Sequence, residues 1–128
     1  MGFLDMTRED KVAEFRKAGG KKVYEDAPND SAMIYNCIAE EVEEFNEAAL
    51  QYEANKNDET RANLCKEWAD MQYVVSQAAL YYSIPAGPAF QRVHDNNMTK
   101  VVDGKVKYRA DGKILKPKGF QKVDMRGL

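Results

Sequence analysis

Ile38-Ala39-Glu40-Glu41-Val42-Glu43-Glu44-Phe45-Asn46-Glu47-Ala48 is the stretch that decides the fold. Around it, Ile34, Ile38, Phe45, Ala48 and Tyr52 recur in steps of three and four, the period of one helix face. The series skips position 41, so Glu41 stands on the apolar stripe, with Glu44 beside it one turn on. A carboxylate set among apolar residues is costly unless a cation meets it.

A second stripe follows in Leu64, Trp68, Met71, Val75, Ala78 and Tyr82, and Glu67 and Asp70 flank it. Asn55 to Asp58 leaves only a short turn between the two helices, predicted from Asp30 or Ser31 to about Tyr52 and from about Glu59 to Tyr82. A turn that short makes the pair an antiparallel hairpin. Residues at i and i+3 are neighbours on a helix, about 5–6 Å apart at Cβ, so Glu41, Glu44, Glu67 and Asp70 converge at matching levels. Four carboxylates share one spot only around positive charge. Hard divalent cations such as Mg²⁺ take oxygen ligands of this kind, commonly together with substrate phosphates.

A lone ExxE on a helix is ordinarily a solvated face. Two features set this one apart: the glutamate within the stripe, and the second acidic pair on the adjoining helix. A di-iron carboxylate centre would need Glu-x-x-His on two helices, whereas His94 is the sole histidine. Zinc is disfavoured for the same reason, because neither histidine nor cysteine clusters. Solvated acidic helices on a non-enzymatic interaction module stay open at this point.

Working outward, a first helix is expected over Thr7 to Ala18, capped by Thr7 with Asp10 three residues on and ended by Gly19-Gly20. A polar segment follows from Lys21 to Asn29, with Pro28 as a breaker. Pro85 and Pro88 open a fourth helix reaching about Val102, with Phe90, Val93, Asn97 and Val101 on one side. Asp103-Gly104 and Asp111-Gly112 then mark turns around Lys105 to Arg109, the pattern of a small hairpin or an ordered loop. The expected architecture is all-α: a four-helix bundle in a single domain over residues 1–128, with a helical core of about 5–102 and a basic C-terminal extension of about 103–128.

No run approaches the roughly 20 apolar residues of a membrane span. Met1-Gly2-Phe3-Leu4-Asp5 lacks the features of a secretory signal, and Met6 fails the myristoylation pattern that Gly2 invites. Cys37 and Cys65 form no CxxC and are taken as reduced core thiols, which fits a cytoplasmic protein. The net charge of −2 conceals a division. Residues 1–99 hold 10 Lys/Arg against 18 Asp/Glu, and residues 100–128 hold 9 against 3. Such a tail has only Tyr108 and Phe120 to stack bases, so stable nucleic-acid binding is not expected. Closing over a polyanionic small molecule and lying solvated remain its two open roles. His94, Asn97 and Lys100 share a helix face, and Lys100, Arg109, Lys113 and Lys116 form a cationic set suited to phosphates.

Two groups of residues carry a family resemblance. Glu40-Glu41-x-x-Glu44, 22 further residues and Glu67-x-x-Asp70 resemble the MazG-like all-α nucleotide pyrophosphohydrolases. Val93-His94-Asp95-Asn96-Asn97-Met98-Thr99-Lys100, followed by Arg109-Ala110-Asp111-Gly112-Lys113-Ile114-Leu115-Lys116, is similar to the phosphoribosyl-ATP pyrophosphohydrolase branch of that group. The resemblance implies a Mg²⁺-dependent cleavage of nucleoside triphosphates between the α and β phosphates, with Mn²⁺ able to substitute. It also implies Glu41, Glu44, Glu67 and Asp70 as metal ligands, Glu40 beside the attacking water, and catalytic duty for Glu40, Glu41 and Glu44. Asn97, Lys100, Arg109, Lys113 and Lys116 would contact substrate, and the subunits would form a homodimer or homotetramer. Two departures bear on substrate choice: Tyr81-Tyr82-Ser83-Ile84-Pro85 stands where relatives often turn through Gly-Ile-Asp, and Glu43 stands where a small residue is usual. The histidine-biosynthetic reaction on phosphoribosyl-ATP is the alternative that the resemblance allows.

Overall fold

The computed structural model describes residues 6–23 and 31–128. Four helices follow in order, α1 (Arg8–Ala18), α2 (Ser31–Ala54), α3 (Asp58–Tyr81) and α4 (Ala86–Met98), and no strand forms among the described residues. The fold class is therefore all-α, as the periodicity predicts. Most of the polar segment before α2, and residues 1–5, lie outside the described residues. Two compact units divide the chain, Met1–Ile84 and Pro85–Leu128.

In the first unit, local chemistry sets both ends of α1 and the start of α3. Thr7 accepts from Asp10 N at 3.1 Å while Thr7 N donates to the Asp10 carboxylate at 2.9 Å, a reciprocal capping box. Gly19 closes α1, and Gly20 takes φ +76°, a conformation glycine adopts without penalty. Asn57 and Thr60 repeat the capping box at the start of α3, at 2.9 and 3.2 Å. The three residues between α2 and α3 fold them into a hairpin, with Arg61 over the Tyr52 ring near the turn.

The contacts that pack α1 on α3 include a polar pair and an aromatic pair. Ser76 Oγ donates to Glu9 Oε2 at 2.6 Å, and Phe15 meets Tyr73 edge to face at 6.0 Å between centroids. Among the described residues, the buried apolar ones are Val12, Ile34, Ala48, Leu80 and Tyr81. Buried Arg16 donates through Nε to the Lys22 carbonyl at 2.7 Å, closing the end of α1.

The α3 stripe is rotated from its expected position. Ser76, Leu80 and Tyr81 are buried, whereas Trp68 is 44% exposed and Val75 48%. Packing against both α1 and α2 turns a different arc of α3 inward than its own periodicity marks, and Arg8 lies over the Trp68 ring at 5.7 Å. Cys65 is likewise exposed rather than a core thiol; Cys37 is half-buried, and both are free.

In the second unit, α4 ends at Met98, short of the expected Val102. The Thr99 hydroxyl donates back to the Asn96 carbonyl at 2.6 Å, and Lys100 N and Val101 N bond three residues back, which tightens and ends the helix. Asp103 and Gly104, both at positive φ, make a two-residue turn joined by the Val102–Lys105 bridge. A second bridge joins Tyr108 to Ile114. Each turn closes on itself, so the extension is an ordered loop of two isolated bridges instead of a hairpin ladder.

Candidate metal centre

Glu41, Glu67 and Asp70 come together where α2 and α3 face each other. One carboxylate oxygen from each lies within 4.8 Å of the others, and all three residues are half-buried. Helical spacing sets the pair on α3, and the short turn to α2 sets the register that brings Glu41 to it. Glu44, one turn on from Glu41, belongs to the same electrostatic group. The negative charge of Glu41 raises its carboxyl above the ordinary 4.5, followed by burial and by the charge of Glu67. Glu40 is exposed and is not one of the three clustered carboxylates.

Two buried oxygens test whether the group suits a cation. Glu41 Oε2 and Glu67 Oε2 are both buried and have no hydrogen-bond partner. A carboxylate oxygen can only accept, so nothing but a donor or a positive charge can satisfy these two atoms. Two orphaned acceptors among like charges are a costly arrangement for a protein to leave uncompensated. An all-oxygen set suits a hard divalent cation and disfavours soft ones. The residues present fit.

One member of the group is a cation that the sequence motifs did not single out. Lys66 Nζ lies 2.7 Å from Asp70 Oδ2 and 3.4 Å from Glu67 Oε1. Hydrogen bonds to Asp70 and Glu67 and the charges of both hold its ammonium well above its ordinary range. The i,i+4 spacing to Asp70 was the available signal.

In the second unit, the expected substrate-binding residues fall into two groups. Lys100 Nζ donates to Asn97 Oδ1 at 3.1 Å and lies 5.3 Å from the Phe120 ring centroid. Lys116 Nζ lies 5.6 Å from the same ring. Arg109 is drawn instead to Asp111, at 2.6 Å, and Asp111 also accepts from Lys113 N at 3.1 Å. Asn97, Lys100 and Lys116 are thus gathered near one ring, while Arg109 and Lys113 are organised by an aspartate.

No curated protein matches the chain. The sequence profile of phosphoribosyl-ATP pyrophosphohydrolase matches residues 10–97, which takes in most of α1, all of α2 and α3, and nearly all of α4. The match contains both acidic pairs and the helical core that brings them together, so the chain belongs to the phosphoribosyl-ATP pyrophosphohydrolase family, within the MazG-like all-α pyrophosphohydrolases.

Proposed function

We propose that this pyrophosphohydrolase is Mg²⁺-dependent and cleaves (d)NTPs to (d)NMPs and pyrophosphate, with Mn²⁺ able to replace Mg²⁺. The observation that carries this reading is the half-buried trio of Glu41, Glu67 and Asp70 with two orphaned carboxylate oxygens. Glu41, Glu44, Glu67 and Asp70 would hold the ion. When bound, Mg²⁺ neutralises phosphoryl oxygens and acidifies a coordinated water.

The chain's own residues account for the remaining work. Glu40 takes the proton of the attacking water as its oxygen bonds to phosphorus and the α–β anhydride bond breaks. Pyrophosphate then leaves with the electron pair of the bridging oxygen. Glu41 and Glu44 keep the reacting end of the site negative until a cation and its substrate enter. Asn97 and Lys100 orient the substrate, and Arg109, Lys113 and Lys116 offset phosphate charge.

The chain would act in the cytoplasm as a homodimer or homotetramer. The small buried apolar set, beside exposed Leu50 (67%) and Val75 (48%), supports assembly through helix faces. No helix among the described residues is long and apolar enough to cross a membrane. Stable binding to nucleic acid is not part of this reading.

The profile match is as consistent with a second reading, hydrolysis of phosphoribosyl-ATP in histidine biosynthesis. Product analysis separates the two. The full chain is incubated with NTPs, dNTPs and phosphoribosyl-ATP in Mg²⁺, Mn²⁺ or EDTA, and pyrophosphate is resolved from orthophosphate. Metal-dependent monophosphate and pyrophosphate from dNTPs is the expected result. Turnover of phosphoribosyl-ATP alone supports the second reading. No turnover, together with no thermal shift in Mg²⁺, leaves a non-enzymatic helical module.

A further inference from the structure

Residues 100–128 hold three acids, and their partners decide what the lysines are free to do. Asp111 pairs with Arg109 at 2.6 Å, and Asp124 pairs with Arg126 at 2.8 Å. Asp103 sits in the two-residue turn and pairs with nothing among the described residues. The acids of this segment therefore neutralise its two arginines and none of its lysines.

Five lysines left without a counter-ion, Lys100, Lys105, Lys107, Lys116 and Lys118, line one cleft of about 300 Å³ within the second unit. Its other walls are Val102, Leu115 and Pro117, so no carboxylate among the described residues lines it. The backbone holds three chain segments around this space. Val102 and Lys105 exchange hydrogen bonds across the first turn, and Leu115 N donates to the Lys107 carbonyl at 2.8 Å. Phe120 lies beneath the ammonium groups of both Lys100 and Lys116, at 5.3 and 5.6 Å. A ring face attracts cations but neutralises neither. Gathering like charges without an acid opposes folding unless an anion offsets them.

We propose that this cleft is a binding site for a short phosphate chain, either free pyrophosphate or the di- or triphosphate of a nucleotide. Size and chemistry both point to a small anion. The cleft lies at the lower end of the roughly 300–1,000 Å³ of ligand pockets, and a nucleic-acid groove would need a series of stacking rings. Lysine ammoniums present rotatable point charges that suit the crowded oxygens of a phosphate chain. Lys105, Lys107 and Lys118 are thereby added to the phosphate-binding set, and Arg109, held by Asp111, falls outside the cleft lining. The choice of anion rests on the pyrophosphohydrolase reading; the existence of the site does not.

The test is calorimetric titration of the full chain in EDTA at about 0.15 M salt, where the Debye length is about 8 Å. Pyrophosphate, orthophosphate, dATP, dAMP and a short oligonucleotide are the probes. Pyrophosphate and dATP are expected to bind, with orthophosphate and dAMP at least about tenfold weaker, since each further phosphate adds charge-assisted contacts. Tighter binding of dATP identifies the substrate's phosphate chain as the ligand, and tighter binding of pyrophosphate identifies the product. Lys105→Gln, Lys107→Gln and Lys118→Gln should each weaken binding about twofold to fivefold, the scale of one solvated ionic contact. Lys→Arg at the same positions should restore it, and Lys122→Gln, outside the lining, should leave it unchanged.

Equal affinity for pyrophosphate and orthophosphate overturns the site, as does a loss no larger in the cleft variants than in Lys122→Gln. An oligonucleotide that outcompetes pyrophosphate at equal phosphate concentration overturns the small-anion assignment. Hydrolysis assayed in Mg²⁺ on the same preparations keeps the two readings apart. Binding without turnover removes the enzymatic reading and leaves the cleft, whereas turnover without metal-free binding removes the cleft alone.

Discussion

Lys66 Nζ lies 2.7 Å from Asp70 Oδ2, so α3 carries its own cation into the acidic cluster. The same ammonium reaches Glu67 Oε1 at 3.4 Å, while its own side chain is 66% exposed. Lys66 therefore touches two of the three clustered carboxylates from the solvent side, the direction from which a metal ion would arrive.

A cation entering this site competes with Lys66 for Asp70 and Glu67. Lys66→Met removes the competitor and a like charge beside the ion. Mn²⁺ binding, followed by electron paramagnetic resonance of the free ion, should tighten about threefold to tenfold, the scale of one solvent-screened charge contact. Weaker binding in the variant would show that Lys66 organises the ligands instead of competing for them.

Glu67→Gln should separate the stability of the metal-free fold from that of the metal-bound form. The substitution removes charge from a cluster that holds two unpartnered acceptors, so the metal-free variant should melt no lower than the wild type. The wild type should gain about 2.7 kcal/mol at 100 times the dissociation constant of Mg²⁺, and the variant should gain much less. Thermal melts with and without Mg²⁺ read both effects. An equal metal-dependent shift in the two proteins would place the ion elsewhere.

Ser76 is buried, donates to Glu9 Oε2 at 2.6 Å and accepts from Gln72 Nε2 at 3.2 Å. It is a polar link between α1 and α3. Ser76→Ala should cost about 1.5–3 kcal/mol, the range for a hydrogen bond to a charged group, measured by urea unfolding at neutral pH. A loss below a few tenths of a kcal/mol would mean that solvent replaces the link without penalty.

Asp124 accepts from the Arg126 side chain and then from its backbone N–H, and these bonds hold its carboxyl down at about 2, from an ordinary 3.8. A carboxyl depressed in the folded state contributes stability that is complete above the unfolded value. That contribution is lost as pH falls from about 4 towards 2. Carboxyl-carbon NMR should show Asp124 titrating near 2. Arg126→Gln should return the midpoint towards 3.8; an unshifted midpoint in the wild type would contradict the pairing.

Local interactions were legible before any tertiary contact was known. Thr7 and Asp10 announce their capping box because both partners lie within one turn. Glu41, Glu44, Glu67 and Asp70 announce themselves because i,i+3 spacing fixes neighbours on any helix. The end of α4 was not legible. Thr99 is as acceptable inside a helix as beyond one until its hydroxyl is seen bonding the Asn96 carbonyl.

The sequence by itself determined four helices, the short turn between α2 and α3, and the acidic pairs that turn brings face to face. Each follows from hydrogen bonds and side-chain spacings within a few residues. Tertiary structure alone decided that Ser76 is buried while Trp68 and Val75 stay exposed, and that Asp111 takes Arg109 and leaves the lysines unpaired. A helix offers several arcs of similar apolarity, and a flexible cation several acids within reach. Only the three-dimensional packing of distant segments chooses among them.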